Sequence, residues 1–207
     1  MSPLFCSLIE TSLFHVTVDS SRVHQKQHYP HYYHLKGRNG EPVFFELPPK
    51  TNLQAMRKGG VDLPSLLRHY AMVTEFQWQF VERDDFARSI TVIDLEGMRM
   101  TDFVGECVDY VRKCSEFTGQ HYPERAGTVL VINVPGWFKM IWNVVKPMVD
   151  EVTLRKIRIL RGKEEIFNEV RTTFRVLFRY ICFLEFCWNR NSSGFCHMCL
   201  TILVFFG

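Results

Sequence analysis

The stretch S-I-T-V-I-D-L-E-G-M (89–98) decides the fold, because it combines a buried strand with the turn that ends it. Residues 90–95 are apolar and rich in β-branched side chains, which predicts a strand. Glu96 and Gly97 then predict a turn. A strand that is apolar on both faces is typical of a parallel sheet covered by helices.

Four further elements follow this strand along the chain. Residues 102–117 and 137–149 carry apolar side chains at helical spacing, and the second of these ranges is rich in large ones. Residues 128–134 are a second continuous apolar run, ended by Pro135-Gly136, and residues 157–160 are a third, shorter strand. The alternation predicts an α/β fold with a mostly parallel sheet flanked by helices.

The region before residue 89 predicts a hairpin followed by two helices. Residues 32–47 have the composition of a β-hairpin, with Asn39-Gly40 at the turn. Residues 53–57 predict a short helix and residues 62–81 a longer one, which we expect Asp62 to cap.

Composition limits the class of protein. A length of 207 residues with 46% hydrophobic side chains allows one domain with a substantial core. The net charge of +3 suits an anionic membrane surface or a phosphorylated headgroup, and is too small to indicate nucleic acid. Residues 1–18 lack the charged start of a signal peptide, and no apolar run is long enough to span a bilayer. We therefore expect a cytoplasmic monomer.

Catalytic and metal-binding patterns are absent from the sequence. Neither G-x-S-x-G, H-E-x-x-H nor a glycine-rich phosphate loop occurs. C-H-M-C (196–199) is half a zinc site without a second ligand pair. Four histidines lie in a polar, tyrosine-rich segment without an adjacent carboxylate or cysteine, so we expect no metal there: His24, His28, His31 and His34. A binding protein that is not an enzyme and needs no cofactor is expected.

Four motifs resemble the CRAL-TRIO lipid-binding domain of the secretory-pathway phosphatidylinositol-transfer proteins, in order and in spacing. They are T-V-I-D-L-E-G (91–97), Y-P-E-R (122–125), I-N-V-P (132–135) and K-P-M-V-D-E-V-T-L-R-K-I-R-I-L (146–160). P-H-Y-Y-H-L-K-G-R-N-G-E-P-V-F-F-E (30–46) resembles the hairpin of the same domain. The resemblance implies a CRAL-TRIO fold whose sheet and helices enclose a lipid cavity.

The resemblance also divides the chain. Residues 28–170 are the lipid-binding domain, and residues 1–27 do not resemble the helical bundle that precedes it in the family. Residues 171–207 form a tail rich in Phe and Cys that replaces the segment expected after the domain. We interpret this tail as a gene-model artefact and the fold as incomplete at both ends.

Two ligand sites are implied by the same resemblance. In phosphoinositide-binding members, the Glu of Y-P-E-R and the Thr and Lys of V-T-x-x-K line the headgroup pocket. This implies a phosphoinositide headgroup set with one further acidic neighbour: Glu124, Asp150, Thr153 and Lys156. The hydroxyls that hold a second lipid, such as phosphatidylcholine, map to Tyr33, Tyr70, Ser89, Thr91 and Thr118. Phe44 stands where the family has a further tyrosine.

Residues 137–149 match the mobile gate helix that covers the cavity and meets the bilayer in the family. Periodicity alone leaves two readings open, a fully buried helix or one that borders a cavity or a membrane. The resemblance favours the second, with Gly136 as a hinge. The residues expected at the gate and the membrane are Gly136, Trp137, Phe138, Ile141, Trp142 and Val145.

The resemblance implies a function in lipid exchange. The ligand would be a bound phospholipid, phosphatidylinositol, presented during transient contact with Golgi, endosomal or other cytosolic membrane faces. Two alternatives stay open: a scaffold or regulatory domain that transfers nothing, and a carrier of a retinoid, a tocopherol or a sterol-like molecule. The presence of Glu124, Thr153 and Lys156 argues against the second alternative.

Overall fold

The computed structural model describes residues 27–103 and 105–174. Within these residues, five strands form one sheet in the order β1-β2-β3-β4-β5. They are β1 (His31–Lys36), β2 (Pro42–Glu46), β3 (Ser89–Asp94), β4 (Ala126–Ile132) and β5 (Ile157–Ile159). β1 pairs antiparallel with β2, and every other pair is parallel. The mostly parallel α/β sheet predicted from the sequence is confirmed.

Helices connect the strands and cover both faces of the sheet. They are α1 (Leu53–Lys58), α2 (Leu63–Phe76), α3 (Glu106–His121), α4 (Phe138–Val145), α5 (Glu151–Leu154) and α6 (Lys163–Thr173). Asp62 caps α2 as expected, because its carboxylate accepts a hydrogen bond from the backbone N–H of Ser65 at 2.9 Å. None of the helices in the described part of the chain combines the length and apolarity that a membrane crossing needs.

The two faces of the sheet are covered differently. On one face, α6 packs directly on the strands through Ile166, and the buried cluster is Val43, Ile90, Val92, Leu130, Ile132, Leu160, Ile166 and Phe174. On the other face, Val131 of β4 packs with Phe138 and Ile141 of α4. Alternate residues of one strand therefore belong to two separate cores.

Several predicted boundaries differ from the observed ones, and each difference has a local cause. α3 begins at Glu106 rather than at residue 102, because Gly105 before it has φ +56°. β4 ends at Ile132, and Asn133 after it has φ +54°. α4 ends at Val145 and a 3₁₀ turn follows at Lys146–Met148, because Pro147 has no N–H to continue an α-helix.

The first and last parts of the chain fall largely outside the described residues. This applies to residues 1–26, to residues 175–207 and to the C-H-M-C motif within the tail. Within the description, α6 continues past residue 170, where the sequence analysis ended the domain, and the side chain of Phe174 lies in the core.

Gly127 allows β3 and β4 to approach closely, so we expect the stability of the fold to depend on the absence of a side chain at this position. The register of the two strands shifts between Ser89 and Ile90, which pair with Ala126 and Thr128 and leave Gly127 as the extra residue. A Cβ on Gly127 would lie 3.0 Å from the carbonyl oxygen of Ser89. We expect Gly127→Ala to lower the free energy of unfolding in urea by about 1–3 kcal/mol.

Gly119→Ala is the matched control for this substitution. Gly119 lies in α3, where an added Cβ would meet no atom within 4 Å. Because alanine is the better helix former, this variant should gain up to about 1 kcal/mol of stability. Equal stabilities for Gly127→Ala and the wild type would show that the close approach of the strands is not required.

Candidate functional site

A cavity of about 590 Å³ lies between the second face of the sheet and the helices α2, α3 and α4. This volume falls within the range of about 300–1,000 Å³ that is usual for small-molecule sites. Part of its wall is apolar and comes from the sheet and α4: Ile93, Leu95, Val129, Val131, Phe138 and Ile141. The cavity therefore offers an apolar ligand a surface shielded from water.

The four residues expected at the phosphoinositide headgroup all line this cavity: Glu124, Asp150, Thr153 and Lys156. Lys156 Nζ donates a hydrogen bond to Glu124 Oε2 at 3.0 Å. The side chain of Lys156 is 16% exposed and that of Glu124 is 57% exposed, so the pair reaches from the cavity wall to solvent. We refer to these four residues as the mouth cluster.

Asp150 has a structural partner within the mouth cluster. Its Oδ1 accepts a hydrogen bond from the backbone N–H of Thr153 at 2.8 Å, which caps α5. Hydrogen bonding from Thr153 holds the pKa of Asp150 below its ordinary value. The carboxylate of Asp150 thereby fixes the start of the short helix that carries Thr153.

The turn that carries Glu124 is anchored on both sides. Tyr122 donates a hydrogen bond through its hydroxyl to the carboxylate of Glu75 in α2. Arg125 donates to two backbone carbonyls in the loop at residues 84–87, at 2.8 and 3.1 Å. Glu124 between them has φ +63°, a conformation that residues with a Cβ rarely adopt. The flanking contacts therefore hold Glu124 in a strained position at the cavity.

The five hydroxyl residues expected at a second lipid also line the cavity: Tyr33, Tyr70, Ser89, Thr91 and Thr118. Two of them donate to backbone carbonyls, Tyr33 to Val73 at 3.0 Å and Thr118 to Cys114 at 3.0 Å. Their oxygens keep the capacity to accept a further hydrogen bond. Phe44 lines the same wall, so the tyrosine hydroxyl that the family has at this position is missing from the cavity wall.

The sequence analysis missed a buried carboxyl in the cavity wall. Tyr29 donates a hydrogen bond to Glu46 Oε1 at 2.5 Å, and Tyr110 donates to the hydroxyl of Tyr29 at 3.2 Å. Burial raises the pKa of Glu46 above its ordinary value of 4.5, and the hydrogen bond from Tyr29 partly opposes this. Strand alternation could have revealed it, because Glu46 and Phe44 lie on the same face of β2.

The predicted gate helix borders the cavity with one face and solvent with the other. Phe138, Ile141, Trp142 and Val145 line the cavity, Trp137 packs against the same core, and Gly136 before the helix is exposed. The apolar side chains that α4 presents to solvent are Met140, 60% exposed, and Val144, 45% exposed. Phe138 and Ile141 are buried and line the cavity, and contact of α4 with a membrane stays a prediction.

The metal-binding and cysteine chemistry of the described residues is limited to two free thiols. Among residues 27–103 and 105–174, no group of three or more His, Cys, Asp or Glu side chains could hold a metal ion. Cys107 and Cys114 are free thiols in the cavity wall. Burial raises the pKa of Cys107 to about 11, which keeps it protonated and unreactive at neutral pH.

A parallel sheet and helices that enclose one apolar cavity with a charged mouth define a ligand-binding α/β domain. The family model of the CRAL/TRIO domain matches residues 26–174. The chain belongs to the CRAL/TRIO domain family.

The chain is similar to several curated proteins, among them two from yeasts and one from a plant. The chain is 34% identical over 140 residues to the SEC14 cytosolic factor of Candida glabrata, covering 65% of this chain and 46% of the relative. It is 31% identical over 147 residues to the phosphatidylinositol/phosphatidylcholine transfer protein SFH9 of Arabidopsis thaliana, covering 67% and 25%. A CRAL-TRIO domain-containing protein of Saccharomyces cerevisiae is 29% identical over 160 residues, covering 73% and 51%.

The fold has a counterpart among solved structures. The crystal structure of Sfh5 superposes with a TM-score of 0.58 at 16% identity, covering 72% of this chain and 51% of that chain. This confirms the CRAL-TRIO fold expected from the sequence. The chain spans about half the length, or less, of the relatives that it matches.

The raised pKa of Glu46 predicts a dependence of stability on pH. The carboxyl of Glu46 has its ordinary pKa of 4.5 in the unfolded chain and a higher pKa in the folded protein, so the unfolded chain loses this proton at a lower pH. The free energy of unfolding therefore falls as the pH rises from 4.5 through the raised pKa. Glu46→Gln keeps an acceptor for Tyr29 but cannot ionise. We expect the free energy of unfolding of this variant, measured by urea denaturation, to fall less steeply with rising pH above 4.5 than that of the wild type.

Glu116→Gln serves as the control, because Glu116 is exposed on α3. Its pH profile should follow that of the wild type. A Glu46→Gln profile parallel to the wild-type profile would contradict a desolvated carboxyl at this position.

Proposed function

We propose that this domain binds a phospholipid in its cavity and exchanges it at membrane surfaces, with phosphatidylinositol as a ligand. The observation that carries the proposal is the mouth cluster: Lys156, Thr153 and Glu124 lie together at the wall of an apolar cavity. The names of two relatives, a SEC14 cytosolic factor and a phosphatidylinositol/phosphatidylcholine transfer protein, support it. They also support a binding function rather than an enzymatic one.

The cavity suits acyl chains for an energetic reason. Each methylene kept out of water is worth about 0.8 kcal/mol, so an acyl chain that crosses water alone faces a large barrier. An apolar wall such as that of Val131 and Ile141 offers the chain nearly the free energy that it has in the bilayer. Exchange is then limited by opening of the cavity rather than by loss of hydrophobic contact.

The mouth cluster suits a phosphate bonded to a polyol. The ammonium of Lys156 and the hydroxyl of Thr153 are donors that form charge-assisted hydrogen bonds with phosphate oxygens. The carboxylate of Glu124 can accept hydrogen bonds from ring hydroxyls. An inositol phosphate presents both kinds of group, whereas a retinoid or a sterol lacks the phosphate.

The tyrosine-rich wall favours phosphatidylcholine as the second lipid. Tyr33 and Tyr70 line the cavity together with the carboxyl of Glu46. Aromatic faces and a carboxylate are the groups that bind a quaternary ammonium. Ser89 and Thr91 add hydroxyls that can donate to the phosphate of such a headgroup.

Membrane contact is assigned to the outer face of α4. Met140 and Val144 are exposed apolar residues on this helix, and Lys139 and Lys146 beside them are exposed cations. Apolar side chains flanked by lysines suit an interface with anionic lipid. We propose that α4 opens about Gly136 on the cytosolic face of a membrane, Golgi or endosomal, and that the protein acts there as a monomer.

Lys156→Ala tests the headgroup assignment. We expect lipid extraction and native mass spectrometry to detect phosphatidylinositol bound to the full wild-type chain purified from cells. The Lys156→Ala variant should carry much less of this lipid. Removal of a charge-assisted hydrogen bond costs about 1.5–3 kcal/mol, which corresponds to at least a ten-fold loss of affinity. Lys163→Ala, an exposed lysine at the start of α6, should retain the lipid.

The outcomes of this experiment separate the alternatives. Equal phosphatidylinositol content in the Lys156→Ala variant and the wild type would overturn the headgroup assignment. A folded wild-type protein without any lipid would instead favour a scaffold function.

Met140→Glu tests the membrane-facing surface. A carboxylate at this exposed position should weaken binding to anionic vesicles in a sedimentation assay, because it introduces charge into the apolar contact. Phe167→Glu is the control, since Phe167 is 38% exposed on α6, which covers the opposite face of the sheet. If both variants bound vesicles as the wild type does, α4 would not be the contact.

A further inference from the structure

Glu124 faces two cations that lie on different sides of it. Its Oε2 is 3.0 Å from Lys156 Nζ and 3.8 Å from a terminal guanidinium nitrogen of Arg88. Lys156 lines the cavity with a side chain that is 16% exposed, whereas the side chain of Arg88 is 56% exposed. The carboxylate therefore has one partner on the cavity side and one on the solvent side.

The position of Arg88 relative to Glu124 is fixed by the backbone. Arg88 immediately precedes β3, and the N–H of Ser89 donates to the carbonyl of Arg125 at 2.9 Å. This hydrogen bond ties the start of β3 to the turn that contains Glu124. The pairing of β3 with β4 therefore brings the backbone of Arg88 close to Glu124, so their side chains can meet.

Other charged groups nearby are already engaged. Arg125 donates to the backbone carbonyls of Asp84 and Ala87 and lies 4.5 Å from the ring centroid of Trp78. Asp150 accepts from the N–H of Thr153. Arg88 is therefore the cation best placed to receive the carboxylate of Glu124.

A phosphate that binds Lys156 competes with this carboxylate, because both are anions that accept hydrogen bonds from the same ammonium. The carboxylate of Glu124 is more than half exposed, so a second cation nearby favours its displacement by the modest amount of an exposed ion pair. Arg88 supplies it, because its guanidinium is already within ion-pair distance of the same oxygen.

We propose that Arg88 is a positioning residue that receives the carboxylate of Glu124 when a ligand phosphate takes over Lys156. Arg88 does not contact the phosphate; it lowers the cost of releasing the lysine. This inference rests on the proposed function for the role of Lys156. The ligand chemistry is a phosphate ester, whether carried on a lipid headgroup or on a free sugar alcohol.

A double-mutant cycle on the full chain tests this arrangement. The variants are Arg88→Gln, Glu124→Gln and the double variant, and the readout is capture of phosphatidylinositol from phosphatidylcholine vesicles that contain it. We expect Arg88→Gln to weaken capture about two- to five-fold, the range of an exposed ion pair. In the Glu124→Gln background the same substitution should have no effect, because no displaced carboxylate remains.

Two controls separate positioning from general electrostatics and from folding. Arg88→Lys should restore most of the affinity, since the ammonium can also pair with a carboxylate. Arg83 is an exposed arginine in the same segment between α2 and β3, and Arg83→Gln should leave the capture of phosphatidylinositol unchanged. The melting temperatures of all variants should lie close together.

Each other outcome overturns a stated part of the inference. If Arg88→Gln weakened capture equally in both backgrounds, Arg88 would contact the ligand directly; if it had no effect in the wild type, it would have no role. A parallel titration with inositol 1-phosphate separates the sources of phosphate. If inositol 1-phosphate bound with the same coupling between Arg88 and Glu124 but phosphatidylinositol was not captured, the role of Arg88 would stand and the lipid ligand would be rejected. If neither inositol 1-phosphate nor phosphatidylinositol bound, the role of Arg88 and the lipid ligand would both be rejected.

Discussion

The structure depends on one sheet whose two faces are covered at different distances. Side chains alternate along β4, so Leu130 and Ile132 face α6, whereas Val129 and Val131 face the cavity. α6 packs directly on its face and supplies a close-packed core. On the other face, α4 packs against Val131 of β4 and α2 contacts the sheet through the hydrogen bond from Tyr33 to Val73, and the cavity lies between these helices and the strands. This asymmetry leaves room for the cavity on the second face of the sheet.

The sequence predicted the elements better than their ends. Apolar runs and helical spacing follow from burial, which acts over a whole element, so the strands, the helices α1 to α4 and the cap at Asp62 were predicted, whereas α5 and α6 were not. The ends depend on single residues, such as Gly105 and Asn133 with their positive φ angles and Pro147 without an N–H. Asn133 is the least visible of these, because most asparagines do not adopt a left-handed conformation.

The site was only partly predictable, for a different physical reason. The mouth cluster and the hydroxyl residues were inferred from motifs, and the structure brings them to one cavity. Glu46 and Arg88 were missed because their partners lie far along the chain: Tyr29 meets Glu46 through the hairpin, and Arg88 meets Glu124 through the register of β3 and β4. The sequence left α4 open between burial and a position beside a cavity or a membrane, and in the structure Lys139 and Asn143, one helical turn apart, lie on its exposed face.

The two carboxyl groups of the cavity have opposite environments. Glu46 lies among tyrosines, where burial raises its pKa and Tyr29 is its hydrogen-bond donor. Glu124 lies at the mouth between two cations. Burial disfavours a negative charge at Glu46, whereas the negative charge of the more exposed Glu124 is balanced by Lys156 and Arg88. The same cavity therefore has a desolvated carboxyl in its wall and a solvated ion pair at its mouth.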